Sequence, residues 1–465
     1  GTATLRVNSM RNIGMAANSV ISSSRGALNV DFNADAAMGA NGSIRSLPDT
    51  LAINPNPDQA QGGAILLNAA TISTNGGNIR FYGQSDPVNG RAVGGTTEIP
   101  SEGSASWLVN GIAAGGSTLN TCVGTEACAG AGSISLRGQG DSGNSSGSLV
   151  DSGAGVLLSG TRVFAGGDIT IDGRGALGAS GVLITSSPRT SLVDLAQVAL
   201  PAPIAGQGAV GSMNGNVSVI GSTRTWTPRT DPDNPESGDL VVVPRGLGGG
   251  SGVQRVGTAL VGRNGNVRID GQGADLTALG NDAEFQRLAL GNSNSATFGA
   301  SHGVSLLMSD IGAGVGRSVD IIGSAGSNGF TLSRNASGFP QVQFDTANAY
   351  GVQLRGAIGA GAVRAEGGRI TVDGQTSDVL LAHETNNAAA STALTLIDAS
   401  SPGAQGGQVS ISGRNLQISN GYTAEPDVAF INASGATGGG SIALLASGSM
   451  AIDGAGTPRA DATGL

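Results

Sequence analysis

The stretch Gly167-Asp168-Ile169-Thr170-Ile171-Asp172-Gly173 decides the fold. Apolar residues at 169 and 171 alternate with polar ones. A strand here turns Ile169 and Ile171 to one side and Thr170 to the other. The flanking glycines end the strand and open positive φ to the turns. One such heptad is weak evidence, but the pattern recurs. Copies run over Gly76–Gly83, Gly132–Gly138, Gly215–Gly221, Gly265–Gly271, Gly368–Gly374 and Gly407–Gly413, with degenerate ones at Gly316–Gly323 and Gly440–Ala446. A second strand type precedes many of them, as in Gly155–Leu158, Gly303–Leu307, Gly351–Leu354 and Leu394–Ile397.

Successive copies lie 33 to 55 residues apart. The expected fold is all-β: a right-handed parallel β-helix, or β-solenoid, with loop excursions. Each repeat reads as about two coils, giving roughly 20 coils and a rod on the order of 100 Å at ~4.8 Å per coil. A β-sandwich has no reason to repeat one motif over such a length. A propeller would carry Trp-Asp landmarks, which are absent. Stacked coils predict columns of like side chains, with Ile169, Val217, Val267, Ile370 and Val409 in one of them.

Composition agrees. Glycine is 80 of 465 residues, aromatics are 3% and apolar residues 39%. Disorder goes with low hydrophobicity and high net charge, which this is not. So little aromatic bulk closes a core only when each layer covers its neighbour. All 24 basic residues are arginines and the net charge is −9. Without a clustered basic surface, no nucleic-acid partner is expected. No apolar run approaches the ~18–20 residues of a membrane helix, so no membrane span is expected.

The chain is read as one continuous β-helix over 1–465, a segment of a larger protein. Excursions are expected at about 86–131, 188–213, 225–256 and 275–300. The second holds the apolar run Leu192–Leu200, the third Pro228, Pro232 and Pro235, and the last a helical stretch at Asn281–Leu290. Cys122 and Cys128 have neither a redox-pair nor a zinc-site spacing. They read as a short disulfide loop in an oxidising compartment, pinning a local excursion.

The first ninety residues carry the most specific pattern: Ile21-Ser22-Ser23-Ser24-Arg25-Gly26-Ala27-Leu28-Asn29-Val30-Asp31-Phe32-Asn33-Ala34-Asp35. Gly63-Ala64-Ile65-Leu66-Leu67-Asn68-Ala69-Ala70-Thr71-Ile72-Ser73-Thr74-Asn75-Gly76-Gly77-Asn78-Ile79 follows. This resembles repeats of filamentous-haemagglutinin-like exoproteins of Gram-negative bacteria, and the later glycine-flanked strands extend the resemblance over most of the chain. It implies two-partner secretion through an outer-membrane β-barrel transporter. It implies display at the cell surface or release, and roles in adhesion, aggregation or contact-dependent competition. The partners it implies are a cell-surface glycan or protein receptor and further copies of the chain. Asn54-Pro55-Asn56 matches a tripeptide of the family's secretion domain, but its surroundings differ.

Candidate chemistry is sparse. Asp172, Asp270, Asp373 and Asp453 each directly precede glycine and would offer calcium its oxygen ligands if they stacked. Asp-Gly is equally ordinary turn chemistry. The only histidines, His302 and His383, lack any catalytic motif around them. Trp107 and Trp226 sit in excursions and are the candidates for glycan or partner contact, with Tyr350 and Tyr422 beside repeats. No cofactor and no catalysis are expected. The competing readings are a β-helical polysaccharide-degrading enzyme, which needs carboxylates converging in one cleft, and a trimeric phage-type fibre.

Overall fold

A computed structural model describes residues 1–9, 12–34, 63–94, 110–122, 132–140, 153–176, 179–185, 209–223, 251–275, 286, 295–344, 348–356, 362–383, 395–420, 430–454 and 460–463. Three long parallel sheets of 12, 11 and 11 strands run through them. The chain visits the first, second and third sheet in turn and then returns to the first. This is a parallel β-helix of eleven three-strand coils, from Thr2–Asn8 to Ala460–Asp461. Right-handedness is the sense that twisted parallel strands impose on their crossovers.

The glycine-flanked heptads are the first-sheet strands, such as Ile169–Gly175, Val217–Thr223 and Val267–Gln272. Their inward column reads Ile134, Ile169, Val217, Val267, Val319, Ile370 and Val409 in unbroken register. The expected column is present, and Val319 completes it. All its members are buried, and each such side chain contributes roughly 1.5–3 kcal/mol. Near the start, Phe32 stacks on Phe81 with ring centroids 5.1 Å apart.

The coil count corrects the sequence reading. The 33–55-residue spacing is one coil, not two. Eleven coils rise about 50 Å at ~4.8 Å each. The two recognised strand types each occur once per coil, beside a third sheet that was not read. Its strands are two to four residues long, such as Ile397–Asp398 and Arg162–Ala165. Two to four residues hold no alternation long enough to recognise.

Three corners join the sheets. At the first, paired glycines let backbones touch. A Cβ on Gly221 would lie 1.9 Å from the Gly252 carbonyl oxygen, and one on Gly271 2.1 Å from that of Gly303. The second corner often closes in two residues, the first of them left-handed. That residue is Ala69 (φ 44), Gly116 (57), Gly160 (57), Gly257 (63) and Met308 (48) in five coils. The next residue is a buried hydroxyl in Ser117, Thr161, Thr258 and Ser309. Thr161 Oγ1 donates to the Ala114 carbonyl at 2.6 Å in the preceding coil, so the hydroxyl stitches the coils together.

Long connections do occur, but with different bounds. The expected excursion at 86–131 contains coil strands Ile112–Gly115 and Thr118–Asn120. Those at 188–213 and 225–256 end in coil strands Ala209–Ser212 and Val253–Val256. At 275–300, Ser295–Phe298 leaves the coil and pairs antiparallel with Phe330–Arg334, which pairs with Pro340–Phe344. The sequence reading did not mark the last two strands as an excursion. The run Leu192–Leu200 and the three prolines lie outside the described residues, as does the helical stretch except for Gln286, which is helical.

Candidate functional site

The third corner carries the most informative pattern. The residue directly before the inward column that runs from Val30 to Ile442 is Asn29, Asn78, Ser133, Asp168, Asn216, Asn266, Ser318, Arg369, Gln408 and Ser441 in coils 2 to 11. In most early coils its side-chain oxygen accepts the backbone N–H of the same position one coil on. The distances are 2.9 Å from Asn78 N to Asn29 Oδ1 and 2.8 Å from Ser133 N to Asn78 Oδ1. They are 2.8 Å from Asn216 N to Asp168, 3.0 Å from Asn266 N to Asn216 and 2.9 Å from Ser318 N to Asn266. A short amide or carboxylate reaches one coil spacing, and each bond satisfies a donor at a bend.

The ladder stops at Ser318. Arg369, Gln408 and Ser441 instead donate their N–H groups to the backbone carbonyls of Arg317 (3.1 Å), Gly368 (2.8 Å) and Gly407 (3.0 Å). At this place a groove of about 580 Å³ opens. Arg317, Arg369, Gln405, Gln408, Asn266 and Ser441 line it, together with Ser318 and corner glycines. One wall is raised by the longer connections at 399–407 and 433–440. Parallel bridges between Ser401 and Gly435 and between Gln405 and Gly438 tie them together.

The electrostatics are lopsided. Among the described residues the lining holds two guanidinium groups and no carboxylate, histidine or aromatic side chain. Asp320 faces one Arg369 Nη at 3.4 Å. Nothing in the lining is placed to transfer a proton, whereas it offers cationic, amide and hydroxyl groups along one line.

The sequence-derived candidates are not gathered here. Asp172, Asp270 and Asp373 share an outward column of the first sheet, but Ile220 and Ile322 separate them. Asp453 is on the second sheet. They do not stack, because turn chemistry recurs only in alternate coils. Each of the first three has a protein partner: Arg91 on Asp172 at 2.6 Å, Arg268 on Asp270 at 2.8 Å, and the Gln375 N–H and Ser412 hydroxyl on Asp373. The calcium ladder is therefore not assembled. Among the described residues no group of three or more His, Cys, Asp or Glu could hold a metal ion.

The histidines lie in structural settings. His302 stacks on Tyr350 and accepts the Tyr350 N–H at 3.1 Å. Burial, then the nearby Arg355 charge, push its pKa down to about 4. His383 packs against Phe430, and burial lowers it to about 4 as well. Cys122 is buried and disulfide-bonded. Cys128, Trp107, Trp226, Tyr422 and Asn54-Pro55-Asn56 lie outside the described residues.

Sequence reasoning missed two features. Arg255 is fully buried in the inward column of the second sheet between Ile184 and Leu306. Its Nη2 donates to Thr258 Oγ1 at 2.6 Å, and burial pushes its pKa down to about 9 against the opposing pull of Asp310. The groove was the other. Its signal was present, because Gly368-Arg369-Ile370 and Gly407-Gln408-Val409 put long side chains where earlier copies have short ones. Comparisons with protein-family models, curated proteins and solved structures return no match for this chain. Among the described residues no helix is long and apolar enough to cross a membrane.

Proposed function

We propose that this chain is a non-enzymatic stalk of the filamentous-haemagglutinin-like type, displayed at the bacterial surface or released, and that it mediates adhesion or aggregation. Its partners in this reading are an outer-membrane β-barrel transporter during export and a cell-surface glycan or protein receptor. Further copies of the chain complete the set. One observation carries the reading. Coil is joined to coil by columns of apolar side chains and by rungs of side-chain-to-backbone hydrogen bonds, while the groove presents binding groups without an acid or base. Carboxylates that catalyse must converge on one bond. Here Asp31 lies between Arg6 and Arg80, and Asp172, Asp270, Asp320 and Asp373 each sit on a separate first-sheet strand.

The mechanics support a stalk. Backbone hydrogen bonds run along the rod axis, so a lateral load is shared among three sheets. The test is display of the chain on a non-adherent bacterium, with attachment to host cells or to sister bacteria counted against a strain lacking it. Attachment should rise severalfold. Unchanged attachment, or release of reducing ends from polysaccharides by the purified protein, overturns the reading.

A further inference from the structure

We propose that the third-corner groove binds an extended anionic polysaccharide, laid parallel to the rod axis. The inference deepens the adhesive reading and rests on it. It starts from the interruption of the ladder. In coils where Asn or Asp occupies the corner, the side chain is spent on the next coil's N–H. At Arg369, Gln408 and Ser441 the backbone takes over that task, and the side chains are released to line the groove. A repeat that gives up its own rung over consecutive coils, and builds a wall beside the gap, serves something other than the rod.

Charge selects the ligand class. The chain carries 33 acidic and 24 basic residues, yet among the described residues the lining has Arg317 and Arg369 and no acid. Asp320 orients Arg369 and leaves its side chain 57% exposed. Guanidinium groups match carboxylate and sulfate oxygens in planar, paired hydrogen bonds. Gln405, Gln408, Ser441 and the amide nitrogen of Asn266, whose oxygen is held by the Ser318 N–H, add neutral donors and acceptors suited to hydroxyl groups. From Asn266 to Ser441 the lining crosses five adjacent strands, about 19 Å at ~4.8 Å per step. A polymer with regularly spaced polar groups fits such a run. Among the described residues the lining has no aromatic side chain for stacking bases, which argues against a nucleic acid. The corner backbone is engaged between coils, which leaves little for a peptide strand to pair with.

The experiment measures binding of the purified chain to polygalacturonate, a sulfated galactan and neutral dextran at low and physiological salt. The wild type should bind the anionic polymers, more weakly as salt rises, and ignore dextran. Binding of only one anionic polymer supports the proposal and identifies carboxylate or sulfate as the group recognised. Arg317→Ala with Arg369→Ala should weaken binding at least tenfold. The double variant Arg317→Glu with Arg369→Glu should abolish it. Arg334→Ala, outside the groove, should leave it unchanged. Both groove variants replace exposed side chains, and an unchanged thermal midpoint verifies their folding. Equal binding of dextran, or full binding by the charge-reversed protein, overturns the proposal. Reducing ends are assayed on the same samples. Their release would sink the non-enzymatic reading separately, while intact polymer with no retention would sink only the ligand assignment.

Discussion

Coils 2–8 and coils 9–11 share one core and differ in where most of their long connections fall. In the first set most are at the first corner, as at 35–64, 224–252 and 325–349, with 186–208 at the second corner and 121–133 at the third as exceptions, and the third corner carries the rungs up to Ser318. In the second set the first corner closes within 374–377, 414–415 and 447–449. Length moves to the other two corners, as at 384–396, 399–407 and 433–440. The inward columns of the first sheet pass through the change without a break in register, while the second sheet shifts register between Tyr350 and Val352 where coil 8 meets coil 9. The rod is thus specified by its columns, while each edge is free to specialise, and the edge that lost its rungs acquired the groove.

The sharpest way to break this comparison is to cut the core in both regions. Ile269 and Ile411 occupy one column and are equally buried. Ile269→Ala and Ile411→Ala should each cost about 2–5 kcal/mol in chemical denaturation. A large difference between them would show that the two regions do not share one core.

His302 in coil 7 and His383 in coil 9 straddle the boundary. Both have folded-state pKa values near 4, below the ordinary 6.5. The unfolded chain therefore takes up protons first as the pH falls. The stabilisation is complete above pH 6.5 and is lost between there and about 4, on the order of 3 kcal/mol for each histidine. Thermal midpoints measured across that window should drop less in a protein carrying His302→Asn and His383→Gln. A midpoint as acid-sensitive as the wild type's would assign the loss to carboxylates.

Next in size is Arg255. Methionine keeps much of its volume but leaves the buried Asp310 carboxylate without the cation that compensates it, so Arg255→Met should cost about 3–5 kcal/mol. A raised thermal midpoint would instead show that the buried guanidinium is a net burden on the column. The smallest effects discriminate best. Asn216→Ala should cost about 1 kcal/mol, because the Asn266 N–H loses its acceptor. Gln408→Ala, at the equivalent corner of coil 10, should stay within about 0.5 kcal/mol. Equal losses at the two positions would mean that the rung and the groove residue do the same work.

The sequence made the first sheet legible because its strands alternate over five to seven residues between glycines, as Ile169–Gly175 does. The second sheet was half legible from runs such as Val156–Ser159. The third was not, since a strand like Val363–Ala365 offers only two inward residues around one outward one. With only two strand types in view, one repeat was counted as two coils. The aspartates misled because Asp-Gly marks a turn wherever it falls, and only the register reveals Ile220 and Ile322 between them. The groove was visible only as a departure, in Arg369 and Gln408 standing where Asn216 and Asn266 stand elsewhere. A departure becomes meaningful once the task of the usual residue is known.

The left-handed residue at the second corner has a consequence for growth of the molecule. With Gly160 and Gly257 swivelling the chain in the same sense at equivalent points, a gene segment spanning one full turn could be copied or dropped as a cassette. The remaining turns would still meet in phase. Lengthening then needs no new fold, only another hinge of the same hand.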